Sequence, residues 1–216
     1  MSEFKKDIIK EIQSMSGAHS VYEIFDDWVK MCALAISNAV DVLPSHQKSR
    51  DDLYVATTNK YNESEIKRFG DLLGMLTLEA EEGFSDILGY VYMHLEISSS
   101  RLGQFFTPYH ICQLMAKMQK AVDETCYMNE PSCGAGGNII AMAEHFHNSG
   151  IDYQKRMRVV CQDLDWKAVY MCYVQLSLYG INAKVIQGDT LLVPEQETRD
   201  RNTFYTPEFV RAGWWR

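Results

Sequence analysis

Glu130-Pro131-Ser132-Cys133-Gly134-Ala135-Gly136-Gly137 is the stretch on which the reading of this chain turns. A short run, Thr125 to Asn129, leads into it, and an apolar helical pattern from Asn138 to about His147 leaves it. Gly134 and Gly136 suit a tight bend, because residues without a Cβ accept strained dihedrals and let a ligand approach the backbone. Further on, Met157 to Cys161 is a second short apolar run, ending at Asp163, and a long helix follows over about Trp166 to Tyr179. Ala183 to Ile186 is a third run, closed by Gly188-Asp189. This β-turn-α-β-α-β rhythm predicts a parallel sheet with helical crossovers.

In such sheets ligands sit beyond the carboxyl ends of the strands. Each run here ends in an acid: Glu130, Asp163 and Asp189. A lone acid at a strand end is more often a helix cap or a solvated group. Three in register with a glycine-rich bend carry more weight. The helix behind the bend presents unpaired N–H groups that suit a carboxylate, and Glu130 could hold a cationic amino group. A pyrophosphate would be repelled by that acid, and the bend lacks G-x-G-x-x-G, so a nicotinamide dinucleotide is the weaker alternative. An amino-acid-bearing nucleoside fits better. Asp163 is placed to accept from both ribose hydroxyls, with Asp165 close enough to share the role. Asp189 could accept from an adenine amine, with Thr190 and Leu191 bordering the ring.

Upstream, residues 1 to about 100 read as all-helical. Ser20-Val21-Tyr22-Glu23 is a capping-box pattern that opens a periodic stretch through Val40, with Ile24, Trp28, Met31 and Ala35 near one face. Pro44 and Ser45 punctuate, and a second helix follows to about Tyr61. Asn62-Glu63-Ser64-Glu65 is another capping box, ahead of the stripe Ile66, Phe69, Leu72, Leu73 and Leu76. Gly83 ends that helix, and Phe84 to Leu95 looks like a fourth. The aromatic and Met residues read as core, although a bundle of this kind could also dock a partner. Thr107-Pro108 is a helix start, Thr as N-cap and Pro first, with Ile111, Leu114, Met115 and Met118 as its apolar positions. The expected division is a helical domain over 1–100 and a nucleoside-binding domain over 101–216.

The chain has 216 residues, 46% hydrophobic and 23% charged, enough to bury a sizeable core. No run of 18 apolar residues suggests a membrane span, and the first residues lack an apolar signal segment, so the cytoplasm is the expected compartment. The six cysteines show no C-x-x-C pair and no histidines at zinc spacing, which predicts reduced, structural thiols. The formal net charge is -8 with no basic block, so any contact with nucleic acid calls for a partner to supply most of it.

Gly103-Gln104-Phe105-Phe106-Thr107-Pro108 resembles the cofactor motif upstream of the bend in gamma-class adenine-N6 DNA methyltransferases, which include the modification subunits of type I restriction systems. Glu130 to Gly137 resembles their D/E-P-x-x-G-x-G-G motif. Cys161-Gln162-Asp163-Leu164-Asp165 is similar to their second strand motif, with Cys161 where the family usually has glycine. Gly188-Asp189-Thr190-Leu191 resembles the third. Order and spacing match over roughly Leu102 to Leu192. The resemblance implies an α/β, Rossmann-like S-adenosylmethionine-dependent methyltransferase core with a truncated parallel sheet, preceded by an all-helical domain. It also implies site roles. Thr107, flanked by Phe106 and Pro108, would contact the methionine carboxylate. Glu130, Pro131 and Ser132 would surround the amino-acid end, and Gly134, Ala135 and Gly136 would form the turn. Asp163 would take the ribose hydroxyls, Leu164 would pack on the adenine, and Asp189 with Thr190 would meet the adenine amine. No metal is called for, since the sulfonium is already an activated electrophile.

The family's N-P-P-[FY] tetrapeptide, which holds the target amine and stacks on the flipped base, occurs nowhere in this chain. No catalytic residue is assigned. After Leu192 a polar stretch precedes Asn202-Thr203-Phe204-Tyr205-Thr206-Pro207, with no obvious fourth apolar strand. The expectation there is a polar tail with aromatic anchors packed on the core. Asn202, Tyr205 and Pro207 improvising a catalytic loop is one alternative. A nucleic-acid or partner contact through Arg199, Arg201, Arg211, Arg216, Trp214 and Trp215 is another. The likeness of Phe204–Pro207 to Phe105–Pro108 is taken as coincidence. Two functions follow. One is a DNA adenine-N6 methyltransferase of restriction-modification type. It would bind DNA weakly alone and work with a specificity subunit, a second methyltransferase subunit or another copy of itself. The other is a catalytically inactive S-adenosylmethionine-binding regulatory or decoy module.

Overall fold

The computed structural model describes residues 3–40, 44–96, 105–193 and 202–213. Five helices come first: α1 (Glu3–Ser14), α2 (Val21–Val40), α3 (Pro44–Thr58), α4 (Glu63–Glu82) and α5 (Ile87–Glu96). Both capping boxes form. Ser20 N–H donates to Glu23 Oε2 at 2.8 Å while Glu23 N–H donates to Ser20 Oγ at 3.2 Å. Asn62 and Glu65 make the same reciprocal pair. Each pair satisfies donors that a helix N-terminus otherwise leaves orphaned. α1 had no sequence cue of its own, yet it drives Ile8 and Ile12 fully into the core. Ile24, Trp28 and Met31 are buried as expected. Ala35 is exposed. α2 packs mainly on α9 and α3 and also buries Phe25, Val29 and Cys32, and Ala35 falls on the strip left open.

The second part continues with α6 (Tyr109–Lys117), β1 (Cys126–Glu130), α7 (Gly137–Asn148), α8 (Tyr153–Arg156), β2 (Met157–Asp163), α9 (Trp166–Leu178), β3 (Ala183–Gln187), β4 (Thr203–Tyr205) and α10 (Pro207–Ala212). The sheet order is β1-β2-β3-β4. β1, β2 and β3 are parallel, with Glu130 opposite Cys161 and Asp163 opposite Gln187, so their carboxyl ends share one rim. A mixed α/β fold with a short, mainly parallel sheet behind a helical part is therefore what the chain adopts.

Two expectations change. A fourth strand does form: β4 runs antiparallel on β3, Lys184 opposite Tyr205. It is short and only Thr203 and Phe204 are buried, too few residues to read as an apolar run. Arg50 on α3 holds it, donating to Thr203 O at 2.6 Å and lying 4.4 Å over the Phe204 ring. The second change concerns α6. Its N-cap is Pro108, with no side-chain cap from Thr107. It buries Cys112 and Ala116 against Ala141 of α7, small residues that let the two helices approach closely. Its apolar positions Ile111, Leu114, Met115 and Met118 are exposed instead.

One continuous buried cluster runs from Ile8 through Trp28, Tyr92 and Ile139 to Phe204, so helices and sheet share a core. α2 packs on α9 across this boundary. There Asp26 faces Lys167, Oδ1 to Nζ 3.7 Å. Burial pushes the Asp26 carboxyl up to about 6 despite the attraction of Lys167. A carboxyl whose folded pKa exceeds its unfolded value favours the folded state most below the unfolded pKa, and that advantage is lost as pH rises through the folded pKa. Asp26→Asn should therefore be more stable than the parent at pH 7 and indistinguishable at pH 4. The gain should be about 1 kcal/mol, because the side chain is 40% exposed and screened. Urea melts at the two pH values check this; an unchanged difference between pH 4 and 7 would contradict it.

Candidate functional site

The bend after β1 is built by two left-handed glycines. Gly134 has φ +53 and Gly136 has φ +95. A Cβ on Gly134 would sit 2.8 Å from the Phe106 ring, and one on Gly136 would sit 3.1 Å from Cys172 Sγ. The bend is thus clamped between the Phe106 ring on one side and α9 on the other. Cys133 N–H donates to Gln162 O at 2.9 Å, which pins the bend to the end of β2.

Asp163, at the last position of β2, closes the arrangement. Its Oδ2 accepts from Gly134 N–H at 2.8 Å and its Oδ1 from Asp165 N–H at 3.0 Å. A carboxylate has about four acceptor sites, so each oxygen keeps capacity for a further hydroxyl donor. The two backbone donors fix its orientation before any ligand arrives. Asp165, considered as its substitute, is committed as the N-cap of α9, accepting from Lys167 N–H at 2.9 Å.

A cleft of about 290 Å³ opens beside the bend. Of the candidate residues, Phe106, Thr107, Ser132, Gly134, Ala135 and Asp163 line it. Several others do not. Glu130 turns back into its own loop, accepting from Ser132 N–H at 3.4 Å and from Asn138 Nδ2 at 3.1 Å, and faces a separate groove beside β1. Asp189 accepts from Leu191 N–H at 2.9 Å, closing a turn after β3. Thr190 Oγ1 donates to Pro131 O at 2.6 Å, tying that turn to the first bend. Leu164 is 66% exposed at the rim. Pro108 and Pro131 are exposed, and Gly136 lies buried behind the bend. Gly103 and Gln104 lie outside the described residues, as do Arg199, Arg201, Trp214, Trp215 and Arg216.

One residue was missed. Asp86 lines the cleft from the helical side although it precedes the motifs by many residues. It is buried, and its Oδ1 accepts from Gly89 N–H and from Gln175 Nε2, each at 2.9 Å. Desolvation raises its pKa. The available signal was an Asp directly before the apolar run of α5, a helix-start pattern that says nothing of a cleft. The improvised catalytic loop also fails on geometry. Asn202 Nδ2 donates to Gln187 Oε1 at 3.0 Å at the carboxyl end of β3, whereas Thr206, next to Pro207, donates to Ile181 O at the opposite end. β4 holds the two apart.

A glycine bend, a strand-end carboxylate that accepts from it, and a cleft above a parallel sheet together make up the candidate site. The chain belongs to the N-6 DNA methylase family, whose profile matches residues 79–212. Among curated proteins no relative matches. Two solved structures are similar at low identity. One is a modification subunit of a putative type I restriction enzyme from Vibrio vulnificus YJ016, 18% identical, with a TM-score of 0.41, covering 71% of this chain and 30% of that one. The other is the type I restriction-modification system methyltransferase subunit from Streptococcus thermophilus, 12% identical, with a TM-score of 0.47, covering 88% of this chain and 58% of that one. The chain therefore spans less than two thirds of either. Among the described residues no helix is long and apolar enough to cross a membrane.

Gly136→Ala tests the clamp. A positive φ together with the contact at Cys172 should cost about 1–3 kcal/mol of stability. A shift of the denaturation midpoint of that size is expected, and a neutral result would mean the bend can relax away from α9.

Proposed function

We propose that the cleft binds S-adenosylmethionine and that the chain is the cofactor-binding part of a DNA adenine-N6 methyltransferase of restriction-modification type. The observation that carries this reading is Asp163, held at the end of β2 by Gly134 N–H with acceptor capacity to spare beside the cleft. The cleft suits such a ligand chemically. Thr107 and Ser132 offer hydroxyls, Phe106 and Ala135 offer apolar wall, and Asp86 and Asp163 offer acids toward a cationic amino acid. Asp163 would accept from the ribose hydroxyls. Leu164, exposed on the rim, would cover the adenine, and Thr107 would donate toward the methionine carboxylate. Glu130 and Asp189 would join only if their loops reorient, because both carboxylates are engaged by backbone or amide donors. When bound, the sulfonium supplies an electrophilic methyl group. The chain's own contribution is to orient that group and to shield it on the α5 side.

The reading includes a partner. The sequence has no Asn-Pro-Pro, and Asn202 is tied to Gln187 rather than turned to the cleft. On this reading a partner subunit brings target recognition, and contact with DNA comes largely through it. A location within the cytoplasm accords with this role.

Calorimetry of the full chain with S-adenosylmethionine should give one site. Asp163→Ala should weaken it at least about 100-fold, since it removes both ribose acceptors and the partner of Gly134 N–H. Binding unaffected by Asp163→Ala would sink the assignment of the cleft. Transfer of labelled methyl groups to adenine N6 in DNA is expected only when a specificity or second methyltransferase subunit is added. Tight binding with no transfer under any pairing would instead favour the inactive regulatory or decoy module.

A further inference from the structure

Cys133, Cys161 and Cys172 come from the glycine bend, from β2 and from α9, with no spacing that relates them in sequence. In the fold their sulfurs all lie within 4.8 Å of one another, and Cys161 Sγ and Cys172 Sγ are 3.8 Å apart. All three are free and buried. We propose that these three sulfurs form a binding site for a soft, monovalent d10 metal ion, Cu(I), reached through the cleft that Cys133 lines.

Thiols often fill cores as small apolar groups, but packing alone does not require three sulfurs to converge. An equilateral triangle of sulfurs 3.8 Å apart has its centre about 2.2 Å from each, close to the ~2.3 Å of metal–thiolate bonds. Cys133 Sγ lies within 4.8 Å of both, so closing that triangle takes a movement of no more than about 1 Å. That movement falls to the Cys133 side chain, which lines the cleft, while Cys161 and Cys172 are fully buried in β2 and α9. Among the described residues no His, Asp, Glu or further Cys joins the group as a fourth ligand. Zn(II) prefers four ligands in a tetrahedron, whereas soft thiolate sites of low coordination select Cu(I). Charge points the same way. The three sulfurs are buried, so a site here must limit the charge it leaves. Cu(I) on two thiolates and one neutral thiol leaves one net negative charge. Two protons pass to solvent through the cleft, and the metal's oxidation state does not change. The inference stands apart from the nucleoside reading, since it uses only the sulfurs and the opening.

The test is anaerobic titration of the full reduced chain with Cu(I) held by a chromophoric chelator, followed by X-ray absorption at the copper edge. One equivalent should be withdrawn from the chelator, with two or three sulfur neighbours at about 2.2–2.3 Å. Cys133→Ala should weaken binding at least about 100-fold, while Cys126→Ala, outside the cluster, should leave it unchanged. Zn(II) at one equivalent should not compete. Nitrogen or oxygen neighbours, equal affinity in Cys133→Ala, or preference for Zn(II) would each overturn the proposal. Should Cys133→Ala fail to fold, the sulfur count in the parent chain decides alone.

Discussion

The carboxamide of Gln175 is the joint on which the molecule depends. It sits on α9, 1% exposed. Its oxygen accepts from Ile87 N–H at 2.7 Å and Leu88 N–H at 3.0 Å, two of the orphan donors at the start of α5. Its nitrogen donates to Asp86 Oδ1 at 2.9 Å and to Ala135 O at 2.8 Å. Every hydrogen-bonding capacity of a primary amide is therefore used. One side chain joins the helical part, the crossover helix and the glycine bend. A buried amide with a partner missing costs about 1–3 kcal/mol, so the bend cannot leave α5 without breaking a saturated network. The position of the cleft thus follows from a contact between two parts of the chain that sequence motifs treat as separate.

That network also explains how several acids coexist around a small opening. Asp163 and Glu130 each accept from backbone or amide donors of the bend, and Asp86 accepts from Gly89 N–H and Gln175. Hydrogen bonds to a carboxylate favour its charged form, whereas burial disfavours it. For Asp86 burial wins, and its pKa rises. The donors orient Asp163 and Asp86 in advance at the cleft wall, while Glu130 is turned to the groove beside β1. The cost of gathering them is borne by the fold.

What could be read from sequence was whatever is local. The bend, its glycines, the three parallel strands and both capping boxes depend on residues a few positions apart, and they appear where expected. So did the place of Asp163, because a strand end is a local property. What could not be read is set by long-range packing. α6 has an apolar stripe at helical spacing, yet it turns Cys112 and Ala116 inward because α7 offers Ala141 opposite, and closeness outweighs side-chain size. β4 is too short to announce itself and exists because Arg50, far earlier in the chain, grips Thr203 O and the Phe204 ring. Asp86 and the three sulfurs belong to the same class. Their neighbours are assigned by topology, and no pairwise spacing encodes them.

The two edges of the sheet differ. β4 covers the β3 edge, and Thr206 seals its far end by accepting from Ala183 N–H at 3.0 Å. β1 has a neighbour only on the β2 side among the described residues. Beside it runs a groove lined by Met115, Tyr127, Met128 and Met142, with Tyr127 75% exposed. Unpaired strand edges are templates for another strand, and natural proteins usually blunt them with charge, proline or a cover. Exposed Met115 of α6 and Lys120 border the groove at this edge. A strand added in parallel to β1 would end level with Glu130, delivering its following loop to the rim where the glycine bend and Asp163 meet. A segment following β4 begins at the other end of the sheet, because β4 runs the opposite way. On the proposed reading, the open β1 edge is therefore the side from which a loop can reach the rim beside Asp163.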